Sequence, residues 1–351
     1  MSYAIGVLGA TGQVGREFLR ILDEGERPDL AIRQVRLFAS ERSAGKRIAV
    51  RGQDVVVERA EPEPGLFEGL DFVLSAIGDA EAKTYSPVIA KAGAVNVDKS
   101  NAWRMDPTVP LVVPEVNPLD AKKHKGIIAG PNCSTTQMVV ALWPLHQVNP
   151  IERIIVDTYQ AVSGTGWRAV DELEDQTKAY VANKEPGHTV YPHRIHGNLI
   201  PEIGGYIGDG LYSEERKMID ETRKIFHAPS LAISATCVRV PVTVGHSEAI
   251  HVELQRAMTP DEAREILGHA PGVEVIDDPQ HSGYPMPLQA AGEDPVFVGR
   301  IRKDPSHPRG LALWVVGDNL RKGAALNAIQ VFELVARKGW RTPALRQEVH
   351  A

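Results

Sequence analysis

Three side chains suited to bond-making chemistry, a thiol, an imidazole and an amide, stand at turns or at the ends of apolar stretches in this chain. Cys133 sits in GPNCSTTQMVVALW, after a strand-like segment and at the start of a helix whose Met138, Val139, Leu142 and Leu145 form an apolar face. A helix N-terminus stabilises an anion, so a thiolate placed there has a lowered pKa and is positioned as a nucleophile. Gln160 ends a second strand-like run and leads into AVSGTG, where Ser163, Gly164 and Gly166 permit close backbone approach to a ligand. The run VRVPVTVGHSEAI carries Arg239 and His246, and SEERKM offers Glu214 and Lys217 at i, i+3 on one helical face. Singly, each has a plain structural use: a surface ion pair, a strand histidine, an arginine at a sheet edge. Cys237 lies in the alternating LAISATCVRVPV and reads as a packed residue.

What a thiol does depends on what accompanies it. AIGVLGATGQVGREFLRIL passes from an apolar strand through Gly9, Gly12 and Gly15 into a helix, where Phe18, Leu19 and Leu22 recur at helical spacing. Such a turn lets backbone approach a pyrophosphate, whose charge meets the N–H groups and dipole of the helix start. A second strand, 34–38, ends in ASERSAGKR. No carboxylate stands at its tip, and Ser40, Arg42 and Ser43 are suited to a ribose 2'-phosphate, which favours NADP over NAD; Glu41 in the same loop is the opposing signal. A cysteine attacking a carbonyl beside a nicotinamide oxidises a thiohemiacetal to a thioester, or runs the reverse. Water as second nucleophile yields an acid and phosphate an acyl phosphate, and these residues leave both open.

The elements that must hold these groups fall into two sets. The 351 residues suggest two domains, and 43% hydrophobic with 24% charged residues describes an ordinary globular chain. A formal charge of -6, without a long acidic or basic block, gives no reason to expect nucleic acid or a membrane surface as partner. No apolar run approaches the roughly 20 residues that span a bilayer, and no cleavable leader precedes the first strand, so a cytoplasmic location is expected. Two cysteines make neither a disulfide framework nor a zinc site, and no metal is expected. Apolar segments at 72–75, 94–97, 111–113 and 127–129 continue the first two strands into a parallel, doubly wound sheet. Beyond Ile151 longer alternating strands, 154–160, 233–240, 249–254, 296–301 and 311–316, predict a mixed, largely antiparallel sheet with helices on one side. A last helix, 322–337, turns Ala325, Ile329, Phe332 and Ala336 to one face.

With GATGQVG, PNCST, YQAVSGTG, EERKM and RVPVTVGHSE in this order, the chain resembles the aspartate-semialdehyde dehydrogenases over nearly its whole length. The glycine motif alone would not be specific; the ordered set is. The resemblance implies an α/β fold: an N-terminal Rossmann-type NADP-binding domain, 1–132, completed by the C-terminal helix of 319–351. To this is added an α+β catalytic and dimerisation domain, 133–318, with a mixed, largely antiparallel sheet. It implies Cys133 as nucleophile, His246 as general acid/base and Gln160 as the amide that positions the acyl intermediate. Arg239 would clamp the substrate carboxylate and Glu214 receive its ammonium, with Lys217, Arg104 and Asn132 as the phosphate pocket. Gly9, Thr11, Gly12, Gln13 and Val14 fall on the pyrophosphate turn, and Ser40, Arg42 and Ser43 on the 2'-phosphate loop. Ser163 and Gly164 would also bind the cofactor, and Asn327 would reach its nicotinamide end.

The implied reaction is reversible reductive dephosphorylation of L-4-aspartyl phosphate to L-aspartate 4-semialdehyde and phosphate, with NADPH as reductant. It serves the pathway to lysine and diaminopimelate, threonine, methionine and isoleucine. A homodimer through the second domain, able to assemble into a tetramer, is the implied assembly. N-acetylglutamyl phosphate reductase is the nearest rival, but its acylated substrate carries no ammonium for Glu214. A sugar-aldehyde dehydrogenase would have no use for the Arg239 clamp, and a noncatalytic NADP-binding sensor none for Cys133, His246 and Gln160 together.

Overall fold

The first apolar run, Tyr3 to Leu8, does not alternate with polar residues, as befits a strand covered on both faces. In the computed structural model, which describes residues 2–24 and 31–341, it is β1 (Ser2–Leu8). Around it stand β2 (Ala31–Ala39), β3 (Arg47–Val50), β4 (Gln53–Arg59), β5 (Phe72–Ser75), β6 (Val95–Asp98) and β7 (Ile127–Ala129). The sheet order is β3-β4-β2-β1-β5-β6-β7, parallel throughout except for the β3–β4 hairpin. Strand order reverses beside β1, the switch point at which open α/β sheets bind ligands. Helix α1 (Gln13–Asp23) buries Phe18, Leu19 and Leu22, while α2 (Pro64–Phe67) and α3 (Asp79–Lys91) follow β4 and β5.

Two details differ from the sequence-based expectation. Residues 111–113 form no strand: Leu111 makes one isolated parallel bridge to Ala129, since Pro110 and Pro114, on either side, have no N–H to extend a ladder. The β3–β4 hairpin is additional. It turns through Arg51 and Gly52, both left-handed at φ 51° and 71°, and arginine at such a position gives little turn signal.

The second unit runs from Cys133 to Gly323. It opens with α4 (Cys133–Val148), β8 (Ile151–Gln160) and α5 (Trp167–Val181), then a small hairpin of β9 (Tyr206–Gly208) and β10 (Leu211–Tyr212). Next come α6 (Ser213–Ile225), β11 (Ala232–Arg239), β12 (His246–Leu254), α7 (Pro260–Gly268), β13 (Val273–Val275), α8 (Pro287–Ala290), β14 (Val296–Lys303) and β15 (Gly310–Gly317). The six-stranded order is β11-β8-β12-β15-β14-β13, with parallel pairs at both edges and antiparallel pairs between. Helices α4, α6 and α7 pack on one face. On the other, Ile155, Asp157, Tyr159, Ala249, His251 and Trp314 remain half-exposed, with Tyr159 against Trp314 at 5.6 Å between ring centroids.

A π-turn, Arg321–Ala325, precedes α9 (Leu326–Arg337). The first unit comprises Met1–Asn132 and Ala324–Ala351, so residues 319–323 fall with the second unit. Residues 342–351 of the expected return lie outside the described residues. Ile329 and Phe332 enter the first unit's core: the Phe332 ring lies 4.7 Å from Phe72 and 5.9 Å from Tyr3, whose hydroxyl donates to the Ala336 carbonyl at 3.2 Å. No helix among the described residues is long and apolar enough to cross a membrane.

Candidate active site

In the first unit the β1–α1 turn is built for close approach. Gly9 has φ +85° and a Cβ there would stand 2.3 Å from the Ala76 carbonyl oxygen; one on Gly15 would stand 2.1 Å from the Gly9 oxygen. Gly12 caps α1 without a side-chain hydrogen bond, so the helix start is left to an incoming acceptor. The Gln13 Oε1 atom is buried with no hydrogen-bond partner among the described residues. Thr11 donates to Ser43 Oγ at 3.2 Å, which ties the turn to the loop after β2, while Val14 packs against the core. A pyrophosphate fits such a cradle of glycines and exposed N–H groups.

In the loop after β2, Ser40 and Arg42 are exposed and Ser43 is buried beneath them. Glu41 pairs with Arg59 at 3.4 Å. The carboxylate that could have opposed a 2'-phosphate is thereby drawn toward another cation. Elsewhere in this unit, Arg104 is buried and donates from Nε to the Gly130 carbonyl at 3.0 Å and from Nη2 to that of Lys99 at 2.8 Å. Asn132, also buried, ends the unit. Asn327 is fully buried in α9 and donates to the Val112 carbonyl at 3.0 Å, so its amide braces that helix.

The second unit gathers its chemistry at the ends of three adjacent strands. Register places Arg239, the last residue of β11, beside Gln160, the last of β8, while His246 opens β12. Ala161 joins two of them through its two backbone polar groups. The Ala161 N–H donates to His246 Nδ1 at 3.0 Å, and the Ala161 carbonyl accepts from Arg239 Nη1 at 2.6 Å. Burial and the Arg239 charge hold His246 well below its ordinary 6.5, so the ring is neutral. With Nδ1 accepting, the proton must reside on Nε2. That Nε2, and Arg239 Nε, are buried donors with no partner among the described residues. Unspent buried donors are rare, and two at one place mark where an acceptor belongs.

Gln160 Nε2 donates to Glu214 Oε1 at 3.2 Å, and Lys217 Nζ to Glu214 Oε2 at 3.2 Å. Glu214 lies in the first turn of α6 and Lys217 in the second, and Glu215 accepts the Tyr212 N–H at 2.6 Å, which fixes the helix start. Cys133, half-buried, is the first residue of α4. One turn on, Gln137 donates to the His246 carbonyl at 3.3 Å, docking the start of α4 over the start of β12. Gly164 is a point of tight approach: a Cβ there would lie 3.0 Å from Arg239 Nη1 and 3.2 Å from His246 Nε2. Ser163 is buried and bonded to Asn319.

The second unit thus brings together Gln160, Glu214, Lys217, Arg239, His246 and Gly164. Sequence reading missed Ala161, which works through backbone alone. It also missed Asn319, whose Oδ1 accepts from the Gly245 N–H at 2.9 Å just before His246. Asp318 was missed too; it accepts the Leu320 and Arg321 N–H groups and shapes the turn that follows β15. The polar cluster GDNLRK between two apolar stretches was the available signal for both.

Comparison with known proteins gives a consistent result. Residues 4–124 match the family model "Semialdehyde dehydrogenase, NAD binding domain", and residues 142–322 match "Semialdehyde dehydrogenase, dimerisation domain". The chain is 51% identical over 342 residues to the aspartate-semialdehyde dehydrogenase of Aquifex aeolicus, covering 97% of this chain and 99% of that protein. It is 44% identical to that of Bacillus subtilis, covering 94% and 96%. Among solved structures, aspartate semialdehyde dehydrogenase II of Vibrio cholerae, complexed with ASA, superposes with a TM-score of 0.91 at 39% identity, covering 96% of this chain and 99% of that one. The Candida albicans aspartate semialdehyde dehydrogenase with NADP superposes with a TM-score of 0.75 at 27% identity, covering 97% and 100%.

Proposed function

The chain belongs to the aspartate-semialdehyde dehydrogenase family, and from that premise we propose that Cys133 is its nucleophile, served by Gln160, His246, Arg239 and Glu214. The family's activity is the reversible, nicotinamide-dependent reductive dephosphorylation of L-4-aspartyl phosphate to L-aspartate 4-semialdehyde and phosphate. It belongs to the biosynthesis of the aspartate-family amino acids.

In our reading, Arg239 takes the substrate α-carboxylate. Support comes from its unspent buried Nε, which together with the guanidinium plane suits a bidentate carboxylate. Glu214 takes the α-ammonium, and its burial beside Gln160 favours a free amino acid over an N-acylated one. Holding the amino-acid end in a fixed plane orients the distant carbonyl toward the thiol. The Cys133 thiolate forms the S–C bond while the C–O bond to phosphate breaks, and phosphate leaves with the electron pair. Arg104, Asn132 and Lys217 are the cations and amide assigned to that phosphate.

NADP is the proposed cofactor. Gly9, Thr11, Gly12, Gln13 and Val14 would hold its pyrophosphate, Ser40, Arg42 and Ser43 its 2'-phosphate, with Ser163, Gly164 and Asn327 toward its nicotinamide. The pairing of Glu41 with Arg59 supports NADP over NAD, as does the NADP of the Candida albicans relative. When bound, it would supply a hydride to the thioester carbon. His246 would hydrogen-bond from Nε2–H, keeping its proton, to the oxygen on which charge develops. That electron pair would re-form the carbonyl as the C–S bond breaks and Cys133 leaves as thiolate. A homodimer built on the half-exposed sheet face of the second unit is the assembly we infer, in keeping with the dimerisation-domain match.

The observation that carries this reading is that Ala161 holds both side chains through its backbone, its N–H on His246 and its carbonyl on Arg239, each of which keeps one donor unspent. The test is phosphate-dependent reduction of NADP+ by L-aspartate 4-semialdehyde, beside N-acetylglutamate semialdehyde, for the native chain and Cys133→Ala. Turnover of the first substrate alone, abolished in the variant, is expected. Equal use of both, or full activity without the thiol, overturns the assignment.

A further inference from the structure

Beneath the row Arg239–Gln160–His246 lies a second polar row in the same sheet. Register sets Cys237 of β11 against Thr158 of β8, and Thr158 against Glu248 of β12. Strand side chains alternate, so Thr158 and Gln160 share a face, and Thr158, Cys237 and Glu248 are all fully buried there. None of the three is part of the chemistry described above.

The hydrogen bonds between the two rows have a fixed direction. A carboxylate only accepts, so Gln160 must turn its NH2 end, not its carbonyl, toward Glu214. Its second N–H goes to Thr158 Oγ1 at 3.3 Å. Both amide hydrogens are then spent, and the carbonyl Oε1 is the end presented to anything else. Across the strand pair the Cys237 thiol points to Met218 Sδ at 3.7 Å, and burial pushes that thiol far up, so it keeps its hydrogen.

We propose that Thr158 is a positioning residue for Gln160: its hydroxyl accepts one amide hydrogen and so holds the amide with its carbonyl end facing the substrate. This rests on the reading of Gln160 as an active-site amide. Without the Thr158 acceptor, one amide hydrogen is left buried and unspent, and the amide can rotate.

The test measures kcat and KM in the phosphate-dependent direction, with melting temperature alongside. Thr158→Val removes the acceptor at nearly constant shape and is expected to lower kcat about tenfold, the worth of one hydrogen bond. Thr158→Ser restores it to within about twofold. The double variant Thr158→Val/Gln160→Ala is expected to be no slower than Gln160→Ala alone, because Thr158 acts through Gln160. Should Thr158→Val fail to fold, Thr158→Ala against Thr158→Ser serves instead: the serine keeps an acceptor for Gln160 and should be the faster of the two. Undiminished kcat in Thr158→Val, additive losses in the double variant, or equal rates for Thr158→Ala and Thr158→Ser overturn the proposal. Undiminished kcat in Gln160→Ala overturns the reading of Gln160 itself.

Discussion

The main-chain N–H of Ala161 donates to Nδ1 of His246 at 3.0 Å. Because a backbone N–H cannot be turned off, the ring is confined to one neutral form, with its hydrogen on Nε2. Nitrogen NMR of the imidazole is expected to report Nδ1 as the bare nitrogen and Nε2 as the protonated one. The reverse pattern would remove His246 as a donor from Nε2. The same burial sets a pH dependence of stability. The folded value lies well below 6.5, so on acidification the unfolded chain takes up this proton first. The stability contributed by the neutral ring is full above 6.5 and is lost as pH falls below it.

Glu248 carries the opposite sign. It is fully buried on β12, and burial pushes its carboxyl well above the ordinary 4.5; Gln137 softens this without reaching hydrogen-bonding geometry to either oxygen. Unfolding lets it ionise, so between 4.5 and its folded value stability falls as pH rises. Glu248→Gln is therefore expected to melt at nearly the native temperature at about pH 4 and above it at about pH 8. Parallel melting curves across that range would mean that Glu248 is ionised in the fold.

Gly164 leaves little room for a side chain. A Cβ at 3.0 Å from Arg239 Nη1 and 3.2 Å from His246 Nε2 makes each give by a few tenths of an ångström, and these are the two groups proposed to meet the substrate. Gly164→Ala is expected to lose about a hundredfold in kcat/KM for L-aspartate 4-semialdehyde with little change in melting temperature. Retained kcat/KM would place those two side chains away from the reacting molecule.

Arg42 is exposed at the loop after β2, and its neighbour Glu41 is engaged by Arg59. Arg42→Ala is expected to raise KM for NADP+ about tenfold and leave that for NAD+ nearly unchanged. An equal effect on both cofactors would count against a 2'-phosphate at this loop.

Phe332 ties α9 to the first unit between Tyr3 and Phe72. It is 1% exposed, and its truncation to alanine is expected to cost about 3–5 kcal/mol, read from urea denaturation. A loss below about 1 kcal/mol would mean that the site collapses to fill the cavity.

How far the molecule could be read in advance depended on the length over which a pattern repeats. Strands such as β8, β12 and β15 alternate or run apolar for eight residues or more, and their sequence-based positions agree within a few residues. The three-residue β13 and the β3–β4 hairpin are too short to establish a period against background. At the candidate site, Cys133 stands out by residue type and position, while Gln160, Arg239 and His246 take their proposed roles from the ordered motifs they sit in. The contacts that orient them were not visible in the sequence. Ala161 acts through its backbone N–H and carbonyl, and Thr158 shares with Gln160 a face that only strand register defines. Asn327 shows the converse: its place in the last helix was apparent, while its bond to the Val112 carbonyl depends on a segment 215 positions away.

Residue 161 is where sequence variation and functional weight part company. An alanine scan passes over it, since it already is alanine, and a small residue exchanged for another small one leaves both bonds in place. The N–H that holds His246 yields only to proline, which has none to offer, and even proline leaves the carbonyl that holds Arg239. A mutational map of this protein would therefore draw as blank a residue on which both side chains lean.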